Sequence, residues 1–169
     1  TEQELKELGI TDSKLLTKKK RQAMVEIIKE KSIAWHAEST TPAEIDTGLG
    51  IGLNLNQVEA LKASLIIKEL LKSVNEFQLP NLTIIIDCPS VNTESWKRSL
   101  EEFLQKENID TTTLNIDCKH KADLLHPVVS AASIIAKTTR DSAIEDLKKQ
   151  LNIECGSGYP SDPKTKQFL

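Results

Sequence analysis

The chain has 169 residues, 38% hydrophobic and 28% charged, a balance that suits one folded domain and excludes a disordered chain. Six Gly and six Pro exclude collagen-like and low-complexity readings, and no apolar run approaches the roughly 18 residues a membrane helix needs. With 22 Lys and Arg against 25 Asp and Glu, the net charge of −3 excludes the global positive field of a protein that coats DNA.

The opening residues TEQELKELG are polar and carry no signal peptide, so the expected setting is the cytoplasm. Cys88, Cys118 and Cys155 are odd in number and lack CxxC spacing, which speaks against a disulfide framework or a structural zinc site and for a reducing compartment. The sequence opens on Thr1 and stops at Phe168-Leu169, where a new amphipathic pattern begins; the expectation is a single domain over 1–169, incomplete at both ends.

Helices and strands alternate along the chain. Thr17 is placed to cap a helix through KKKRQAMVEIIKEK, with Met24, Val25 and Ile28 at helical spacing. Ile33, Trp35 and Ala37 alternate with their neighbours as a strand does. Thr41-Pro42-Ala43-Glu44 has the form of a capping box with Pro at the first helical position. Gly48 to Asn54 reads as a loop, and a helix from Asn56 to about Val74 sets Val58, Leu61, Leu65, Ile66 and Leu70 on one side.

Leu82 to Ile86 is the cleanest strand, aliphatic enough to predict burial on both faces. A helix capped near Thr93 turns Trp96, Leu100, Phe103 and Leu104 inward, and Thr111 to Asp117 is again β-prone. The last long helix starts near Pro127 and carries VVSAASIIAK, whose small residues allow close packing on a sheet. A tight loop over Gly156–Pro160 follows, with Ser161 or Asp162 placed to cap a final helix that has Pro163 in its first turn. The pattern is that of an α/β domain.

Asp87 ends the buried strand, at the rim where open α/β sheets place ligands; it is either a ligand-binding carboxylate or a turn former before Pro89. Asp123 heads the small-residue helix, where it could share Mg²⁺ or Mn²⁺ with Asp87 or simply face the helix dipole. His120 and His126 flank it without recognised zinc spacing, and His36 reads as a strand residue. Lys14 lies in a polar turn, while Lys121, Lys137 and Arg140 cluster in sequence around Asp123; they are phosphate contacts together or surface charges singly. The glycines at 48, 50 and 52 lack a preceding strand and the full GxGxxG spacing, which makes a nucleotide loop a poor reading. Tyr159 is the one tyrosine, a packing plug or a ring that stacks on a sugar or base.

Taken in order, TDSK with LLTKKKR, IIID, KAD, HPVVSAASIIAK with the downstream RD, and GSGYPSDPKT strongly resemble ribonuclease HII of the archaeal type, from about Leu5 to the end. The resemblance implies an α/β, ribonuclease H-like three-layer fold around a mixed central sheet. It also implies an endonuclease that cuts the RNA strand of RNA–DNA hybrids and nicks 5′ to ribonucleotides embedded in duplex DNA, using paired Mn²⁺ or Mg²⁺ ions. By position, Asp87 and Asp123 match metal-binding catalytic aspartates, Lys14 matches a phosphate-contacting lysine, and Tyr159 matches the tyrosine that packs at the RNA–DNA junction; Lys121, beside Asp123, is the further candidate substrate contact.

One departure is large. The family's DExGRG motif, which supplies two further acidic ligands and the ribose-reading contacts, does not occur in these residues. Nor do the first strands, or the basic tail that follows the last matched helix. The expectation is therefore a monomeric, membrane-free relative of a ribonuclease with half a metal site and little or no turnover. The alternative is a non-catalytic module that binds nucleic acid through Lys14, Lys121 and Tyr159.

Overall fold

A computed structural model describes residues 2–10, 16–74 and 82–169. Its helices are α1 (Glu2–Glu7), α2 (Lys18–Lys31), α3 (Pro42–Gly50), α4 (Leu55–Leu71), α5 (Thr93–Lys106), α6 (Ala122–Leu125), α7 (Pro127–Leu151) and α8 (Pro163–Phe168). Strand β1 (Thr83–Asp87) lies between α4 and α5, and β2 (Asn115–Lys119) between α5 and α6. Among the described residues no helix is long and apolar enough to cross a membrane.

Local chemistry sets the helix starts. The Thr17 side chain accepts from the Lys20 amide at the head of α2. Thr41 and Glu44 close the expected capping box on α3, with Pro42 in the first turn. A second capping box, Asn54 with Gln57, starts α4 one residue before the predicted position. Asn92 rather than Thr93 caps α5, accepting from the Ser95 amide. Asp162 caps α8 through the Lys164 amide. In each case a short polar side chain satisfies an amide that the helix itself leaves open.

The two strands run parallel, with Thr83 opposite Asn115 and Asp87 opposite Lys119. The connection through α5 is the helical crossover that parallel strands require. Ile84 and Ile86 of β1, with Ile116 and Cys118 of β2, face a core completed by Ala60, Ile67, Trp96, Leu100 and Leu104. Since side chains alternate across a strand, Ile85 and Asp87 point to the other face. A second cluster forms where α1 and α2 pack on α7: Ile10, Val25 and Ile28 meet Ala131, Ile134 and Ile135. Arg21 fastens that contact, donating to Asp141 at 2.9 Å and to the Leu16 carbonyl at 2.7 Å.

Several expectations are corrected. Residues 32–40 form no strand: Ile33 is 90% exposed, and alternation alone cannot make a strand without a hydrogen-bonded neighbour. Trp35 instead lies against the Lys29 ammonium, 4.2 Å from its ring centre. The predicted loop at Gly48 shrinks, because α3 runs on to Gly50. In β1 the three isoleucines are half-buried rather than buried on both faces, since β1 has one strand neighbour among the described residues. The first part of the predicted Thr111–Asp117 strand is a 3-10 turn over Thr111–Thr113, capped by Asp110.

On α4 the buried positions are Val58, Ala60, Ser64 and Ile67, while Leu61, Leu65, Ile66 and Leu70 are half-buried. Ala60 and Ser64 let α4 approach α5 closely, and a reading that follows large side chains passes over such residues.

The core makes a direct prediction. Leu100 is fully buried between α4, α5 and the sheet, so Leu100→Ala should cost about 2–5 kcal/mol in urea unfolding. A loss below about 1 kcal/mol would mean that this cluster does not hold the fold together.

Candidate active site

The C-terminal ends of the two strands meet at one edge. Past Asp87 the ladder continues for one more bond, from the Cys88 amide to the Lys119 carbonyl at 2.9 Å. That bond holds the exit of β1 beside the turn that follows β2. At Lys121 the chain enters the left-handed region, with φ 59° and ψ 37°, a conformation uncommon outside glycine. Directly after this reversal the Ala122 amide donates to Asp87 Oδ1 at 3.0 Å. The carboxylate of one strand end thus clasps the first amide of α6, which follows the other.

Asp123 is the next residue and is 4% exposed. Its backbone carbonyl accepts from the buried Ser130 hydroxyl on α7, and the His126 amide closes α6 on the Ala122 carbonyl. Asp87 and Asp123, 36 positions apart, are therefore brought to the same edge of the sheet. Lys121 stands exposed at the head of α6. Lys14 lies outside the described residues.

Two carboxylates are hard oxygen donors, and a buried one needs hydrogen bonds or a cation. Mg²⁺-type ions keep several waters and are commonly held by one or two carboxylates together with substrate phosphates. This donor pair fits that mode. Among the described residues no three His, Cys, Asp or Glu side chains gather into a group able to hold a metal. His126 faces Glu2 at 3.3 Å, and His36 pairs with Glu38 at 2.7 Å.

Tyr159 sits on a separately built loop. Arg140, about 20 Å along α7 from Pro127, lays its guanidinium over the ring at 3.6 Å from the centroid. Arg140, grouped in sequence with Lys121 and Lys137 around Asp123, is thus engaged by the Tyr159 loop instead. The Asp162 carboxylate accepts from the Ser157 amide at 2.6 Å, and the Gly158 amide donates to Thr165 Oγ1, which in turn donates to the Cys155 carbonyl. Gly156 has φ +70°, and a Cβ there would meet the Thr165 amide at 2.7 Å, so the loop requires glycine at that point.

Sequence reasoning missed the Ala122 amide, Ser130 and the Arg140 stack. In sequence SAAS is a run of small packing residues, with nothing to show that the Ser130 hydroxyl ties down the Asp123 backbone. A backbone donor leaves no signal in residue type at all.

An α/β ribonuclease H-like fold with a small, open sheet defines the class of protein, and comparison with known proteins gives the family. The ribonuclease HII family model matches residues 1–169. Ribonuclease HII of Methanosarcina barkeri is 39% identical over 166 residues, which cover 98% of this chain and 70% of that protein. The ribonuclease HII of Archaeoglobus fulgidus, solved in complex with PCNA, superposes with a TM-score of 0.77 at 32% identity, covering 99% of this chain and 72% of that one. Ribonuclease H2 of Pyrococcus horikoshii gives 0.73 at 32% identity, with 98% and 71% covered. The chain belongs to the ribonuclease HII family, endoribonucleases of the archaeal type that act on RNA–DNA hybrids.

The Tyr159 loop has a pH signature. The Ser157 bonds, with the Lys164 amide, lower the Asp162 carboxyl from its ordinary 3.8 to about 2. A lowered carboxylate pKa contributes to the fold above its unfolded value and loses that contribution as pH falls through the folded one. The Ser157 amide resonance should therefore stay nearly constant down to about pH 3 and move below it, with a midpoint near 2. A midpoint at the ordinary 3.8 would show that the clasp is not formed in solution.

Proposed function

We propose that these residues form one domain that carries two of the acidic donors of a metal-dependent ribonuclease. Its substrates on this reading are RNA–DNA hybrids and duplex DNA with embedded ribonucleotides, nicked 5′ to the ribonucleotide. The observation that supports the reading is the clasp of Asp87 on the Ala122 amide, the residue directly before the buried Asp123, at the C-terminal end of the strand pair.

When bound, a pair of Mn²⁺ or Mg²⁺ ions supplies an activated water and neutralises the leaving 3′ oxygen. Asp87 and Asp123 would hold that pair from the protein side. The Ala122 amide fixes Asp87 Oδ1 by a charge-assisted bond, which orients the other oxygen without a further loss of side-chain freedom. Lys121, exposed beside them, and Lys14 would neutralise substrate phosphates locally despite the acidic total. Tyr159 would pack on the nucleotide at the RNA–DNA junction, where the ribose 2′-hydroxyl marks the strand to be cut.

Two carboxylates leave a metal pair short of protein ligands. We expect little or no turnover from these 169 residues by themselves. The second reading is a module that binds nucleic acid through Lys14, Lys121 and Tyr159 without cutting it.

The test combines Mn²⁺ titration followed by electron paramagnetic resonance with a cleavage assay on a duplex carrying one ribonucleotide. Asp87→Asn and Asp123→Asn should each weaken Mn²⁺ binding at least tenfold, about 1.4 kcal/mol, with hybrid binding in EDTA retained. The unaltered chain should release no more product than a chain that carries both substitutions. Undiminished Mn²⁺ binding in both single variants would remove the metal assignment, and Mn²⁺-dependent cutting 5′ to the ribonucleotide would overturn the need for further acidic donors.

A further inference from the structure

Arg140 makes three contacts far from the sheet edge: to the Ser157 carbonyl, to Asp141 and to the Tyr159 ring. One nitrogen, Nη1, donates to the Ser157 carbonyl at 2.9 Å and lies 3.5 Å from Asp141 Oδ1. The other oxygen of Asp141 is taken by Arg21 of α2 at 2.9 Å, and both partners of that pair are largely buried. One guanidinium nitrogen is thus paired with a carboxylate that is itself tied to α2. The guanidinium face lies 3.6 Å from the centre of the Tyr159 ring.

The loop is shaped to reach it. Gly158 has φ +73°, and a Cβ there would come within 3.1 Å of Arg140 Nη2 and 3.2 Å of Ile144 Cδ1. Only glycine lets the backbone settle this close while taking that turn. The Tyr159 carbonyl is fixed as well, accepting from the Asp162 amide at 3.0 Å. One ring face is consequently spent on Arg140, and the ring's direction is set by α7 rather than by the loop.

We propose that Arg140 is the positioning residue for Tyr159, a planar platform that fixes the ring in the orientation with which it meets the sugar or base at an RNA–DNA junction. The inference rests on the reading of Tyr159 as the junction contact. Arg140 acts through Tyr159 and need not touch the nucleic acid itself. A cation of the same charge but without the plane cannot do this, because stacking on an aromatic face and bonding to the Ser157 carbonyl at once uses the rigid guanidinium.

Tyr159 is the one tyrosine of the chain, so 3-fluorotyrosine labelling places one fluorine reporter on this ring. The experiment records its ¹⁹F resonance in the unaltered chain, in Arg140→Lys and in Arg140→Ala. Alongside it, binding in EDTA is measured for a duplex with one ribonucleotide and for the same duplex in all-DNA form, with Tyr159→Ala as a fourth protein. In both Arg140 variants the resonance should shift, and the preference for the ribonucleotide duplex should fall by about threefold to fivefold. Arg140→Lys keeps the charge, so its loss of preference separates the platform from simple attraction to phosphate.

An unmoved resonance in both variants would overturn the platform. Preference lost in Tyr159→Ala but kept in both Arg140 variants would overturn the positioning role and leave the junction reading standing. Preference kept in Tyr159→Ala would overturn the junction reading, and this inference with it.

Discussion

The parallel pairing of Thr83–Asp87 with Asn115–Lys119 is the constraint on which the rest of the molecule depends. It is short, five residues on each side, and it is asymmetric in what it carries. One face holds Ile84, Ile86, Ile116 and Cys118 against α4 and α5, so the register is tied to burial. A slip of β1 by one residue would turn Ile84 and Ile86 out and bring Ile85 and Asp87 in. Because the register is held in this way, the two strand ends arrive together, and the Cys88–Lys119 bond carries the match one step beyond the strands.

From that match the candidate site follows with few further parts. The left-handed turn at Lys121 presents the Ala122 amide, the Asp87 carboxylate takes it, and Ser130 secures the backbone of Asp123 from α7. The second hydrophobic cluster, with the Arg21–Asp141 pair, fastens α7 to α2 and so fixes the helix from which Ser130 reaches out. Asp141 also braces Arg140, which links the packing of two helices to the placement of Tyr159. The carboxylate edge and the tyrosine loop are thus built on one helix.

Much of this was legible in the sequence where a residue type has one physical use. Thr41 with Glu44, Pro42 and Pro163 at helix starts, and Asp162 before Pro163 are local signals that need no tertiary information. Asp87 was legible because a carboxylate that ends an aliphatic run is costly anywhere but at a sheet rim. What escaped depends on distant partners. Ile33 to Ala37 alternates as a strand does, yet among the described residues no neighbour pairs with it. The inward face of α4 is marked by Ala60 and Ser64, whose small size matters only once α5 lies against them. The family pattern in KAD and GSGYP pointed to Asp123 and Tyr159 as residues, but the clasp, the hydroxyl tie and the guanidinium platform are properties of the fold.

The central claim is that a side chain from one strand end organises the backbone after the other. Hydrogen exchange at the single amide of Ala122 tests it most directly, compared between the unaltered chain and Asp87→Ala, with the Cys88 amide as the internal reference for the strand pairing. The account predicts that Ala122 is protected in the unaltered chain and loses that protection in Asp87→Ala, while Cys88 stays protected in both. A freely exchanging Ala122 amide in the unaltered chain, or one equally protected without the Asp87 carboxylate, would contradict it.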